Sequence, residues 1–263
     1  MFIPRFIFIF LVIASFGCSS TSSNLRPSTD ENDGPARSEL FQFLEQIFER
    51  RLARSPQFQT YLGIKENYGQ WNDISEQREV EDQELRIKDL ATLRERFDPR
   101  KLEGQDRLNY QLFVYDTEQR ISRFKWRFHS YPINQMGGYQ SRIPAFLIGM
   151  HKVDSLSDAE AYIQRISGIK ALFQQVEKSI KTREKLGVIA PAFVFPWAIE
   201  DCKNVLKGAP FEAGKDDSTL LADFRAKVEK LELESATKDD LIEKARKALL
   251  ESVQPAYASL TRL

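Results

Sequence analysis

Apolar positions recur in steps of three and four along most of the chain, the spacing that predicts amphipathic helices. Leu40, Leu44, Ile47 and Phe48 share a face, with Phe41 and Leu52 beside it. Residues 73–97 are highly charged and carry Leu90, Leu93 and Phe97 as an apolar stripe. Asp98-Pro99 stops that helix, because a proline disfavours helical backbone in the residue before it. Leu108, Leu112 and Tyr115, then Ile121, Phe124 and Phe128, mark a long helix from Glu103 onward. The capping box Ser157-Asp-Ala-Glu160 opens a core-facing helix bearing Tyr162, Ile166, Ile169, Phe173, Val176 and Ile180, and Gly187 stops it. Leu221, Phe224, Val228 and Leu231 give another. Ile242, Ala245, Leu249 and Val253 give the last, opened by Thr237 and kinked or ended by Pro255. Period-two alternation is nearly absent, with only residues 193–195 allowing a short strand. The expected fold class is all-α, an irregular bundle of long amphipathic helices without internal repeats.

The first residues break this pattern. Arg5 precedes an apolar run over residues 6–16, too short to span a bilayer, which needs ~20 residues. Residues 1–17 therefore read as a signal peptide. Gly17-Cys18-Ser19 follows, an arrangement that resembles a bacterial lipobox, although Ser15 stands where an aliphatic residue is usual. On that reading Cys18 is the lipidated first residue of the mature chain, anchored in the membrane. Ser19, not aspartate, follows it, which favours the periplasmic face of the outer membrane. The alternative is an ordinary cleaved leader with an incidental Cys18, leaving the protein secreted or periplasmic. Residues 18–35 are polar and form a disordered tether, and residues 36–263 form the helical region.

Composition narrows the partners. Lys+Arg and Asp+Glu both number 38, so no basic excess points to nucleic acid. Hydrophobic residues make up 42% of the chain, with 19 Phe and 8 Tyr, enough for a real core. If Cys18 is acylated, Cys202 has no partner, and it reads as a small core residue before it reads as a nucleophile. His129 and His151 do not form a helix-borne metal pair. His129 is expected to meet helix-terminal carbonyls, and His151 to be a hydrogen-bonded packing histidine. The charges of residues 75–101 read as a solvated helix face, with a partner-binding helix as the alternative.

Two segments stand apart: His129 through Leu147, and Gly187 through Pro196. Both are apolar and bear Pro and Gly between long helices, unlike ordinary linkers. Such loops either pack over a core or line a cleft. With their surroundings they are similar to the DUF885 family. Ser55-Pro-Gln-Phe-Gln-Thr-Tyr-Leu-Gly63 resembles its "SPxxxTxLG" stretch, and Asp106-Arg-Leu-Asn-Tyr110 its "D-x-L-[ND]-[YF]" helix start. Tyr131 through Gly138, followed by Ile143-Pro-Ala-Phe-Leu147, matches the next block. Ala159 through Arg165 resembles "DaxxYlxRL", and Gly187 through Pro196 resembles "GxxpPxxvxp".

The resemblance implies a bacterial, often lipid-anchored protein of the gluzincin type, a zinc metallopeptidase-like helical hydrolase with a channel between two halves. Family members are about twice this length, and their metal motif, H-E-x-x-P-G-H-H, lies in the C-terminal half. That motif has no counterpart here, so the resemblance implies no catalytic or metal-binding residue in this chain. Zinc is expected only with a C-terminal half supplied. What carries over is a substrate-channel wall of Tyr131, Asn134, Gln135, Gly138 and Pro191, with a peptide as the ligand. The final helix, ending Pro255-Ala-Tyr-Ala-Ser-Leu-Thr-Arg-Leu263 without a stop signal, reads as part of a larger body. Three expectations follow: a split enzyme whose second half is encoded separately, a non-enzymatic binding or scaffold module of the envelope, or a truncated remnant.

Overall fold

Helix α6 (Leu156–Lys185) is the axis of the fold. The computed structural model describes residues 38–214 and 216–263; the leader, the tether and Cys18 lie outside that range. On α6, Tyr162, Ile166, Ile169, Phe173 and Val176 are buried as their spacing requires. Gly187 adopts φ +73°, and the amides of Gly187 and Val188 return to the carbonyls of Glu184 and Arg183 at 2.9 and 2.8 Å. The start of α6 differs from expectation. Ser155, not Ser157, caps it, accepting from the Asp158 amide at 3.3 Å. The Asp158 carboxylate reaches back to the Asp154 amide at 3.0 Å and takes Lys65 at 2.7 Å. The reciprocal cap thus lies two residues earlier, on Ser155 and Asp158, with the carboxylate taking the amide of the residue before the cap.

Against α6 pack α8 (Thr219–Glu229), α9 (Ser235–Ala248) and α10 (Gln254–Leu260), while α5 (Tyr139–Gly149) and α7 (Val194–Val205) pack on each other and on α8 and α10, respectively, all sharing one apolar core. A second core joins α1 (Glu39–Ala53), α3 (Glu76–Arg96) and α4 (Gly104–Arg123) through Leu40, Phe43, Ile47, Leu90, Leu93, Phe97 and Tyr110. Here the sequence misleads. Leu108, Leu112 and Tyr115 are 46%, 56% and 64% exposed. The inward face of α4 is Tyr110 and Thr117, with Phe113, Val114 and Ile121 partly covered. Two apolar stripes compete on this helix, and only contact with α1 and α3 chooses between them.

Three prolines behave differently from their local signals. Pro144 lies inside α5, where irregular chain was expected. Lacking an N–H, it leaves the Gln140 carbonyl free, and the Tyr257 hydroxyl of α10 donates to that carbonyl at 2.7 Å. Pro196 sits in the first turn of α7, a helix that begins within the 193–195 stretch that allowed a short strand; its missing donor there is one the helix start leaves unpaired anyway. Pro255 neither ends nor sharply breaks the last helix. A π-turn over Leu249–Val253 precedes it, widening the backbone before the proline ring. In that turn the Ser252 hydroxyl donates to the Ser167 carbonyl at 2.9 Å and accepts from the Lys170 amide at 2.9 Å, stitching the π-turn to α6. Among the described residues there is no β-strand, only an isolated bridge between Ala209 and Asp217.

The short helix α2 (Pro56–Tyr61) and the loop after it fold onto α6 around a buried arginine. Arg165 is fully buried. Its guanidinium donates to Thr60 Oγ1 at 2.7 Å and the Gln70 carbonyl at 3.1 Å, and lies 2.9 Å from His151 Nδ1. The rings of Phe146, Tyr68 and Trp71 surround it at 4.8, 5.2 and 5.6 Å. His151, read as a satisfied packing histidine, is one: its Nε2 pairs with the Asp158 carbonyl at 3.0 Å. Burial pushes its pKa down to about 3, so the ring is neutral. Because arginine can only donate, Nδ1 is the acceptor and Nε2 carries the proton.

Candidate functional site

The two irregular segments, far apart in sequence, meet at one place. Tyr131, Pro132 and Ile133 form one side of an open cleft, and Val188, Ile189 and Ala190 another. Its floor comes from Ile180 of α6, Ala198 and Cys202 of α7, and Leu260 of α10, and the cavity holds about 270 Å³. The lining is overwhelmingly apolar; Arg183 and Glu184 are its charged members. Its aromatic lining residues reach solvent, with Tyr131 43% and Phe195 45% exposed.

Arg183 sets the first wall. Nearly buried, it donates through Nε to the Ser130 carbonyl at 2.9 Å and through Nη2 to the Arg127 carbonyl at 3.0 Å. These bonds fasten the chain just before Tyr131 onto α6. Beyond the wall the loop closes on itself. The Asn134 side-chain amide donates to the Tyr131 carbonyl at 2.9 Å, its oxygen accepts the Met136 amide at 2.9 Å, and the Tyr139 amide reaches the Pro132 carbonyl at 3.0 Å. The buried Gln140 then ties this loop to α7, donating to the Asn134 carbonyl at 2.6 Å and to Asp201 at 3.2 Å.

Of the five residues assigned to a channel wall, only Tyr131 lines the cleft. Pro191 follows Ala190 just outside the lining. Asn134 and Gly138 build the turn behind the wall, and Gln135 is exposed on it. Of the residues that complete the cleft from α6, α7 and α10, only Ile180 falls on an apolar stripe of the sequence, and no local signal marks any of them as lining. Cys202, expected as a small core residue, is buried at the cleft floor, and burial raises its thiol pKa to about 12. His129 does not meet helix carbonyls through its ring; the ring stands edge-on to Trp126 at 4.9 Å.

Among the described residues no three His, Cys, Asp or Glu side chains gather as a metal site would require. Both nitrogens of His151 are occupied by Arg165 and a carbonyl. The cleft presents an apolar surface whose charged lining is Arg183 and Glu184.

The profile of a family described as "Bacterial protein of unknown function (DUF885)" matches residues 56–263. The chain belongs to the DUF885 family. No curated protein matches this DUF885 chain. A solved structure, that of a candidate lipoprotein from Colwellia psychrerythraea, shares its fold with a TM-score of 0.66 at 17% identity. The match covers 85% of this chain and 39% of the Colwellia chain. The DUF885 chain thus spans about two fifths of that protein's length, and the likeness is one of fold.

Proposed function

We propose that this DUF885 chain is the polypeptide-binding portion of a lipid-anchored envelope protein, and that it contributes no catalytic group of its own. The observation that carries this reading is the convergence of the two irregular apolar segments on one open cleft with exposed aromatic lining residues. An extended apolar stretch of polypeptide suits such a surface, since apolar burial supplies affinity without demanding a fixed side-chain pattern. Peptide hydrolysis, the chemistry implied by the resemblance to zinc metallopeptidases, belongs on this reading to the portion of the family fold outside the described residues, whether continuous with this chain or carried by another.

Fluorescent peptides rich in Phe and Leu, titrated onto the full chain, test the cleft. Ile189→Asp and Phe195→Asp place charge on exposed positions of the cleft lining, so the melting temperature should hold while affinity falls about tenfold or more. Unchanged affinity in both variants would remove the cleft as the binding site. Cleavage of the peptides by this chain alone, with or without added zinc, would contradict the division of labour.

The anchor rests on Cys18, and among the described residues no helix is long and apolar enough to cross a membrane. The candidate-lipoprotein neighbour supports an envelope location. The membrane-extracted protein is expected to have the mass of a chain starting at diacylated Cys18. An unmodified Met1 start, or a cleaved N-terminus without lipid, would refute the anchor.

A further inference from the structure

Remote from the cleft, α1, α3 and α4 enclose a second cavity of about 170 Å³. Five arginines line it: Arg50, Arg51 and Arg54 from the end of α1, Arg86 from α3 and Arg120 from α4. Two carboxylates face them, and both are already engaged. Asp82 takes Arg54 at 3.0 Å, and Asp89 takes Arg50. Arg120 is held by Asp116 on its own helix at 2.7 Å. Arg86 has a neutral amide, Gln83 Oε1, at 3.3 Å. The charged residues of α3 were read as a solvated face, yet Asp89 is buried, because α1 brings Arg50 and Arg51 over it.

Two atoms in this cavity stand out. Arg51 Nη2 and Asp89 Oδ2 are both sealed from solvent without a hydrogen-bond partner among the described residues, so a ligand reaches them only as the Arg51 side chain, 41% exposed, swings outward. They lie 3.9 Å apart, too far to bond directly. Asp89 is also the more deeply placed of the two, its side chain only 8% exposed. Burial lowers the pKa of the Arg51 guanidinium; Asp89 opposes that fall, and Arg86 and Arg120 add to it. The cavity is therefore under-neutralised, with one donor and one acceptor waiting side by side.

We propose that this cavity binds a phosphate that still carries a proton, either inorganic hydrogen phosphate or a phosphomonoester. Its anionic oxygens would take the guanidinium groups of Arg51 and Arg86, whose planar donors suit phosphate. Its P–OH would donate to Asp89 Oδ2, satisfying the acceptor that a fully deprotonated anion would repel. Sulfate has the same shape and no proton to give at neutral pH. A phosphodiester headgroup has none either. The site therefore selects by protonation and not by size.

The test is calorimetric titration of the full chain at fixed ionic strength, in neutral detergent with phosphate or sulfate as ligand and, after detergent removal, with vesicles as ligand. Phosphate should bind saturably, and sulfate at least tenfold more weakly. Arg86→Gln should cost about tenfold in phosphate affinity while its melt in chloride stays at the wild-type value, since Arg86 has no carboxylate to lose. Asp89→Asn should narrow the phosphate–sulfate gap, because an amide can donate to sulfate. Vesicles containing phosphatidate, a monoester, set against inorganic phosphate tell a lipid-borne source from a soluble one, and binding of either supports the proposal. Equal binding of phosphate and sulfate, phosphate binding untouched by Arg86→Gln, or phosphatidylglycerol displacing phosphate would overturn it. So would no phosphate binding at all, which would leave a water molecule as the occupant between Arg51 and Asp89.

Discussion

Arg165→Met is expected to destabilise the protein by about 3–5 kcal/mol, lowering the melting temperature by roughly 10 °C for a domain of this size. The reason lies in what the arginine leaves behind. Thr60 Oγ1, the Gln70 carbonyl and His151 Nδ1 all accept from it at 2.7–3.1 Å, and Thr60 and His151 are buried away from water. Methionine fills much of the volume but satisfies none of them. Burial lowers the pKa of the guanidinium to about 10, which still leaves it charged at neutral pH, stabilised by the Phe146, Tyr68 and Trp71 rings. Arg165→Lys should rescue little, because one ammonium cannot reach three acceptors spread across α2, the following loop and His151. Urea unfolding of the three proteins decides the matter. A methionine variant melting within about 2 °C of wild type would mean that the segment from α2 to Trp71 is held by something other than this arginine.

Gly138→Ala is expected to cost about 2–3 kcal/mol and to weaken peptide binding at the cleft with it. Gly138 has φ −70°, a conformation any residue adopts, so the cost is one of space. A methyl group there would sit 2.6 Å from the Asn134 amide nitrogen and 2.9 Å from Ile133 Cα. Both are backbone atoms and cannot swing aside as a side chain would. It would also collide with the Gln140 side chain at 2.2 Å, the group that ties the loop to Asp201 and α7. Relief requires residues 131–134 to move, and Tyr131, Pro132 and Ile133 are the cleft wall. Stability and binding should therefore fall together, unlike in the Ile189→Asp and Phe195→Asp variants, where only binding falls. Wild-type melting and wild-type affinity in this variant would show that the wall does not depend on the turn behind it.

The helices themselves were legible because helix formation is local. A four-three spacing of apolar residues needs only one buried side to succeed, and α6, α8 and α9 each expose a single such stripe in their sequences. Gly187 was legible as a stop for the same reason: a positive φ is a property of one residue. The all-α class followed from these elements, and membership of DUF885 from an ordered set of short motifs along the chain.

What escaped was decided by atoms far away in sequence. The inward face of α4 depended on α1 and α3, the carbonyl that Pro144 frees in α5 is satisfied by a hydroxyl supplied 117 residues later by Tyr257, and the Asp158 carboxylate at the start of α6 is paired by Lys65. Arg165 appeared in the sequence only as the last letter of a motif, since a buried cation cannot be told from an exposed one until its acceptors arrive. The cleft was half visible, as two apolar loops that had no reason to be ordinary linkers, but its floor comes from helices whose lining residues look like any core position. The arginine cavity was invisible for the converse reason, because charges one or two turns apart on separate helices resemble solvated faces until packing brings them together. Local periodicity and backbone chemistry thus set the elements of this DUF885 chain. Long-range hydrogen bonds and the desolvation of specific charges decided which faces turned inward, and with them where anything can bind.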